Sequence, residues 1–289
     1  MLYLLYRMGR FLALALPLNI AYRIADIGGG LYYLLARKDR KIVANNLRVV
    51  LNQVGDPGQI RYLTRMVFVN FGRYLVEFFR TPKIDLKYIK KHIRIEGRQN
   101  LDQALNLGKG VLLVSAHLGN WELGGMVLSI LNYPLSIIVW SHKNKLVNNF
   151  FLQQRQSKGL EVIPLGSGLK RVFLALKKNQ IVALLGDVDY ADHNAGVRVS
   201  LFGRDTVMPK GPAAFALKTS CAIVPVFMLR EQSNYFRFII KEPITYSPSG
   251  RWEQDLNNLT QEIAKTIESS IALSPAQWFM LKPRWQNTR

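Results

Sequence analysis

Beyond residue 93 the chain changes its period. Short apolar runs at 111–114, 136–140, 181–185, 223–228 and 236–240 alternate with segments of helical spacing at 101–107, 123–131, 146–158, 169–177 and 213–219. Strands that short, with no polar face, are covered on both sides, and strands separated by helices join in parallel. The alternation predicts an α/β fold, a mainly parallel sheet flanked by helices. Residues 197–201 alternate apolar and polar and lead into Phe202-Gly203-Arg204-Asp205, which predicts a hairpin inserted in that core. A last helix over 254–273 precedes a tail rich in proline and tryptophan.

The first 36 residues are of another kind. Residues 11–22 carry no charge, and 24–36 carry only Asp26. Neither stretch reaches the roughly 20 apolar residues needed to cross a bilayer core. Pro17 and Gly28-Gly29-Gly30 are expected to interrupt helical packing. No small-residue cleavage site follows a clean apolar core, so a cleaved signal peptide is not expected. The segment reads as an amphipathic or re-entrant anchor at a membrane interface. Arg7, Arg10, Arg23 and the run Arg37-Lys38-Asp39-Arg40-Lys41 would face anionic headgroups. The plain alternatives are a buried helical hairpin and a tilted single span. Residues 40–79 regain helical spacing, broken at Asp56-Pro57-Gly58. The expected organisation is a membrane-associating segment at 1–36, a helical region at 37–92 and an α/β domain at 93–289.

Charge narrows the partners. Thirty-nine Lys and Arg against 19 Asp and Glu give +20, which calls for an anionic membrane surface, an acidic carrier protein, a phosphorylated substrate or nucleic acid. The basic residues are scattered, and no RNP-like, zinc-finger or helix-turn-helix pattern accompanies them, which argues against nucleic acid. One cysteine excludes an intramolecular disulfide, and Cys221 reads as a small buried residue. No metal and no cofactor are expected. Asp187, Asp189, Asp192 and His193 follow a strand but lack the spacing of a calcium loop, so they read as a loop that orders the site or contacts an acceptor. Gly166-Ser167-Gly168 reads as a turn rather than a phosphate cradle.

The stretch Val111-Leu112-Leu113-Val114-Ser115-Ala116-His117-Leu118-Gly119-Asn120-Trp121-Glu122 carries the chemistry. A buried strand ends, and a histidine stands at its carboxyl end, where open α/β sheets place their crevices. Asn120 is a good N-cap, with Glu122 in the first turn beyond it. On a continuous helix His117 and Glu122 would point about 140° apart, so they meet only if the chain bends, and Gly119 supplies the bend. Glu122 bonded to one imidazole nitrogen would make the other a general base, suited to deprotonating a hydroxyl that attacks an activated acyl group. One histidine, rather than two at helical spacing, does not make a zinc site.

This block resembles the His-x4-Asp/Glu acyltransferases, and in detail the late (secondary) acyltransferases of lipid A biosynthesis and their relatives. The resemblance runs from about residue 7 to 285. It includes Arg155 followed by Gly159, the strand ending Leu185-Gly186-Asp187, and Gly196-Val197 running into Phe202-Gly203. It continues through Gly211-Pro212-Ala213, Val224-Pro225-Val226, Pro275-Ala276-Gln277-Trp278 and Pro283-Arg284-Trp285. It implies transfer of a fatty acyl chain, usually from acyl carrier protein, to a hydroxyl of a membrane glycolipid at the cytoplasmic face of a bacterial inner membrane. His117 then matches the base, Glu122 its partner acid, and Arg155 an active-site arginine that stabilises the oxyanion or holds substrate phosphate. Asn120, Asp187, Asp189, Arg204 and Lys210 are the expected substrate contacts. Where many members have an arginine after the run that ends here at Trp140, this chain has Ser141-His142, and Asp187-Val188-Asp189 stands where Asp-Gln-Asp or similar is usual. Both departures bear on the acceptor and the donor. A lipid A precursor leads, with a phosphatidylinositol mannoside as the alternative acceptor. A non-catalytic basic lipid- or nucleic-acid-binding protein is the rival of another class, and the presence of both His117 and Glu122 argues against it.

Overall fold

Pro17 divides the first two helices, α1 (Leu2–Ala15) and α2 (Leu18–Leu35). The computed structural model describes residues 2–52, 55–166, 168–187 and 196–285. The glycine triplet does not interrupt α2. A Cβ on Gly29 would come within 2.7 Å of the Phe68 carbonyl oxygen, and one on Gly72 within 2.8 Å of that of Ala25. These glycines bring α2 to backbone distance from α4 (Pro57–Phe79), and the burial offsets the ~1 kcal/mol that a helical glycine costs. Between them lies α3 (Arg37–Val50). Asp56 caps α4, accepting from the amides of Gly58 and Gln59 at 2.6 and 3.1 Å, with Pro57 at the first helical position. A short 3-10 turn, Thr81–Lys83, and α5 (Leu86–His92) lead into the sheet.

The remaining elements alternate: β1 (Ile93–Glu96), α6 (Arg98–Asn106), β2 (Val111–Ser115), α7 (Trp121–Ile130), β3 (Leu135–Val139), α8 (Lys145–Gln156), β4 (Glu161–Pro164), α9 (Leu169–Lys177) and β5 (Ile181–Leu185). The hairpin β6 (Gly196–Leu201) and β7 (Arg204–Pro209) follows, then α10 (Gly211–Thr219), β8 (Ala222–Gln232), β9 (Tyr235–Ile240) and α11 (Trp252–Leu273). Seven strands form one sheet in the order β1-β9-β8-β2-β5-β3-β4. Among the described residues of this sheet, only the β8–β9 pair is antiparallel. The expected α/β fold is present. The two strands without a sequence signal, β1 and β4, are four residues long, too short to show a period. The inserted hairpin is there and lies on α11, where Gln261 bonds both the amide and the carbonyl of Ser200.

Every residue of β2 is buried, and its side chains alternate between two cores. Val111 and Leu113 join one with Met126, Val147 and Phe238; Leu112 and Val114 join the other with Ala216, Ile263 and Ile267. A third cluster seats Val43, Leu47, Phe68 and Tyr74 against Phe279, so the carboxyl-terminal segment rests on the helical region. Asn46 fixes it there, donating to the carbonyls of Met280 and Lys282 at 3.0 and 2.9 Å. On the outer side of α1 and α2, Leu4, Met8, Phe11, Ile27, Leu34 and Leu35 are all exposed. No helix among the described residues is long and apolar enough to cross a membrane.

Candidate active site

The site is built at the carboxyl end of β2, between β5 and β8. Gly119 turns the chain at φ +65, and a Cβ there would collide with the Met228 carbonyl of β8. Backbone bonds clamp the turn on both sides: Asn120 N–H to Met228 O at 2.7 Å, Gly119 N–H to Gln277 O at 2.9 Å, and Phe279 N–H to His117 O at 2.8 Å. His117 is thereby held between β8 and the carboxyl-terminal segment.

The expected hydrogen bond between His117 and Glu122 is not formed. His117 Nδ1 lies 2.9 Å from Oδ1 of Asp187, the first residue beyond Gly186 at the end of β5. Oδ2 of the same carboxylate accepts from the His117 backbone amide at 2.9 Å and from Trp278 Nε1 at 3.0 Å. Asp187, 1% exposed, is therefore a buried partner of the histidine rather than the substrate contact read from sequence. Parallel pairing of β2 with β5 puts their carboxyl ends side by side, which brings two residues 70 apart in sequence into contact. Burial pulls the His117 pKa down, but the Asp187 charge and hydrogen bond outweigh it, and the group sits above the ordinary histidine value. Burial pushes Asp187 up, yet His117, Trp278 and the His117 amide hold it below the usual carboxylate range. An ionised carboxylate only accepts, so Nδ1 carries the proton and Nε2 keeps its lone pair.

Glu122 is taken by Arg155 instead. Arg155 Nη2 is 2.6 Å from Oε1, and Nε reaches both carboxylate oxygens at 3.2 and 3.1 Å. The first turn of α7 directs Glu122 toward α8, away from the imidazole, which is why the dyad spacing misled. Burial lowers the Arg155 pKa, and Glu122 more than restores it. Two of the three guanidinium nitrogens, Nε and Nη2, are committed to Glu122.

A cavity of about 660 Å³ opens here, lined by His117, Glu122, Arg155, His142 and Lys282 at its polar part. The rest is apolar, with Leu113, Leu128, Ile137, Ala183 and Phe238 among its walls. Gly124 and Gly125 of α7 face it without side chains. About a third of the His117 side chain is open, onto this cavity. His142 packs its ring 4.7 Å from that of Phe151, and burial followed by the Arg155 charge lowers its pKa.

Asn120 does not reach the cavity. It is 1% exposed, caps α7 by accepting from Leu123 N–H at 2.9 Å, and donates to Glu77 Oε2 at 2.7 Å. Its place as a substrate contact is corrected to a structural one. Glu77 was not singled out in the sequence, and it centres a buried network: Tyr22 O–H donates to it at 2.9 Å and Arg230 Nε at 2.7 Å. Arg230 also bonds Asn70, and Gln277 bonds both backbone groups of Arg230. Asn70 and Glu77 share α4, but Tyr22, Asn120, Arg230 and Gln277 come to them from other elements, so no local pattern signals the network. Lys210 precedes α10 beside the lining residues Pro209, Gly211 and Pro212, whereas Arg204 is at the far end of β7 and outside the lining. Asp189, Asp192 and His193 lie outside the described residues, and no group of three metal-ligating side chains gathers among the described ones.

Known proteins match this chain along most of its sequence. The profile of the family described as bacterial lipid A biosynthesis acyltransferase matches residues 1–287. The phosphatidylinositol mannoside acyltransferase of Mycolicibacterium smegmatis is 32% identical over 228 residues, 77% of this chain and 72% of its own. That of Mycobacterium tuberculosis is 32% identical over 252 residues, 85% and 76% of the two chains. The lipid A biosynthesis palmitoleoyltransferase of Escherichia coli is 25% identical over 201 residues, 68% and 63%.

Proposed function

Because the chain belongs to the bacterial lipid A biosynthesis acyltransferase family and is an acyltransferase, we propose that it moves a fatty acyl chain from a carrier-protein thioester to a hydroxyl of a membrane glycolipid, with His117 as general base and Asp187 orienting it. The observation that carries this reading is the pairing of a fixed, Nε2-basic histidine with an apolar cavity of the size that holds a small ligand, roughly 300–1,000 Å³. The acyl chain lies in the apolar part, and the thioester carbonyl sits beside His117. Nε2 takes the proton of the acceptor hydroxyl as that oxygen attacks the carbonyl carbon. The charge that builds on the carbonyl oxygen faces Arg155 Nη1. The tetrahedral intermediate collapses with cleavage of the carbon–sulfur bond, and the thiolate takes the proton back from His117, so no net proton is consumed.

Two lines of support bear on the acceptor. The family description and the Escherichia coli relative favour a lipid A precursor, whereas the two mycobacterial relatives, at higher identity, favour a phosphatidylinositol mannoside. Both put the hydroxyl on a membrane glycolipid. The exposed apolar side of α1 and α2 supports seating at a membrane surface, on the cytoplasmic side where carrier thioesters are made, and the +20 charge suits an acidic carrier and anionic lipid. The test supplies acyl carrier protein thioester with each glycolipid in detergent and reads lipid products by mass spectrometry. One acceptor should be acylated, and His117→Ala should abolish the product. Product formation undiminished by that change would sink the base assignment.

A further inference from the structure

The turn that carries His117 is held by backbone bonds to Met228 on one side and to Gln277 and Phe279 on the other. The two holders are joined to each other. Gln277 Oε1 accepts from the Arg230 amide at 2.9 Å, and Gln277 Nε2 donates to the Arg230 carbonyl at 2.8 Å. Arg230 Nη1 donates to Asn70 Oδ1 at 2.9 Å, and Asn70 Nδ2 donates to the Ala276 carbonyl at 3.0 Å. Glu77 closes the frame with both oxygens. Its Oε1 takes Arg230 Nε at 2.7 Å, and its Oε2 takes Asn120 Nδ2, from the last residue of the turn, at 2.7 Å. Tyr74, three residues earlier on the same face of α4, stacks on Trp121 with ring centroids 4.6 Å apart. Trp121 in turn makes a T-shaped contact with the His117 ring, 5.0 Å between centroids.

Stability alone does not explain a charge pair here. The Glu77 and Arg230 side chains are each 5% exposed, and an apolar pair of similar volume often holds a fold as well as a buried ion pair or better. What apolar residues lack is direction: Glu77 aims Asn120, and Arg230 ties β8 to the carboxyl-terminal segment across the turn. We propose that Glu77 and Arg230 are positioning residues, which hold the His117 ring against Asp187. The proposal rests on His117 as the base for its kinetic consequence alone, and the ring's own titration tests it without acyl transfer. That titration is followed by NMR on the full chain in detergent with ring-labelled histidine, the resonance being identified by its loss in His117→Gln. Asp187, Glu122 and Lys282 supply the charges that act on His117, and all three stay in every variant compared. Glu77→Gln with Arg230→Met removes both charges of the pair together, so neither is left buried alone. Gln277→Met breaks the joint between the two holders and keeps the pair. In each folded variant the His117 midpoint should fall toward the ordinary 6.5 or below it. Turnover should fall with it, by about 10²-fold in the double variant, with KM for both substrates within about twofold of wild type. Val67→Ala, a buried loss on α4 outside this network, should lower Tm and move neither readout. Wild-type midpoint and kcat in folded Gln277→Met would make the network structural and overturn the proposal, whether or not the double variant folds. So would a kcat loss at an unmoved midpoint, or an equal response from Val67→Ala. A fallen midpoint with kcat unchanged would uphold the positioning and remove His117 as the base.

Discussion

His117 Nδ1 and Asp187 Oδ1 are 2.9 Å apart, although 70 residues separate them in sequence. The same carboxylate holds the His117 backbone amide and the Trp278 indole, so ring, main chain and carboxyl-terminal segment share one anchor. The anchor sets the tautomer. It also raises the pKa of His117, so under the proposed mechanism the pH dependence of rate reads out the pair.

The first prediction concerns that readout. With neutral His117 as the proposed base, kcat/KM should rise with pH through a midpoint above the ordinary histidine value of 6.5. Asp187→Asn should move the midpoint down and lower the plateau by about 10³–10⁴, since an amide no longer enforces the tautomer. Stability runs the other way. A raised His117 pKa contributes stability that is full below pH 6.5 and is lost as pH rises through the folded value. The depressed Asp187 pKa contributes stability above 3.8 that is lost as pH falls through its folded value. A midpoint unmoved by Asp187→Asn would show that another group governs the profile.

Glu122 and Arg155 are 5% and 11% exposed in their side chains, so each compensates the other's burial. Removing one leaves a buried charge alone, at a cost of about 3–5 kcal/mol. Arg155→Ala should therefore lower Tm strongly, and the double change Glu122→Gln with Arg155→Met should recover much of the loss. Comparing kcat and KM of the folded double variant with wild type separates the roles. A large fall in kcat with KM for both substrates unchanged supports Arg155 at the oxyanion. A change confined to acceptor KM would place Arg155 on the acceptor instead.

What the sequence displays and what it hides divide by distance along the chain. The strand ending at Ser115, the turn at Gly119 and the cap at Asn120 are adjacent residues, and their pattern is legible. In sequence Asp187 is a loop residue after a strand, since only the pairing of β2 with β5 tells which side chain it meets. The Glu77–Arg230 pair joins residues 153 apart and looks, residue by residue, like any helix and strand charge. By propensity, which is local, Gly29 is a breaker, whereas its use is contact with Phe68 and Val69 on another helix.

Asn120 offers a check on that division. Its cap to Leu123 and its bond to Glu77 are both buried, so Asn120→Ala should cost about 1–3 kcal/mol in denaturant unfolding. Asn120→Asp keeps the cap but sets a carboxylate against Glu77, and should be the less stable of the two. If Asn120 touched substrate, the expected signature would be a raised KM at unchanged Tm. That outcome would return it to the binding surface.

The apolar side of α1 makes a separate prediction. Replacing Leu4, Met8 and Phe11 together by Gln should sharply reduce partition onto anionic vesicles while leaving Tm within about 1 °C, because all three are exposed in the folded chain. Undiminished vesicle binding would move the membrane contact off α1.

The length of the transferred chain should be set by α7. Gly124 and Gly125 face the cavity, and the two differ in the room behind them. A Cβ on Gly124 would come 3.4 Å from the Phe238 ring, whereas one on Gly125 would meet Leu160 at 3.8 Å and Ile137 at 4.0 Å, both ordinary contacts. Gly125→Ala should therefore fit without strain and stabilise the helix by about 0.5–1 kcal/mol. Gly125→Leu goes further, and its side chain must project into space that the acyl chain would occupy. Offered a mixture of carrier thioesters, Gly125→Leu should transfer shorter chains than wild type, with Gly125→Ala between them and the pH profile of His117 unchanged in both. An unaltered chain-length distribution in a folded Gly125→Leu enzyme would place the acyl chain elsewhere than between α7 and the sheet.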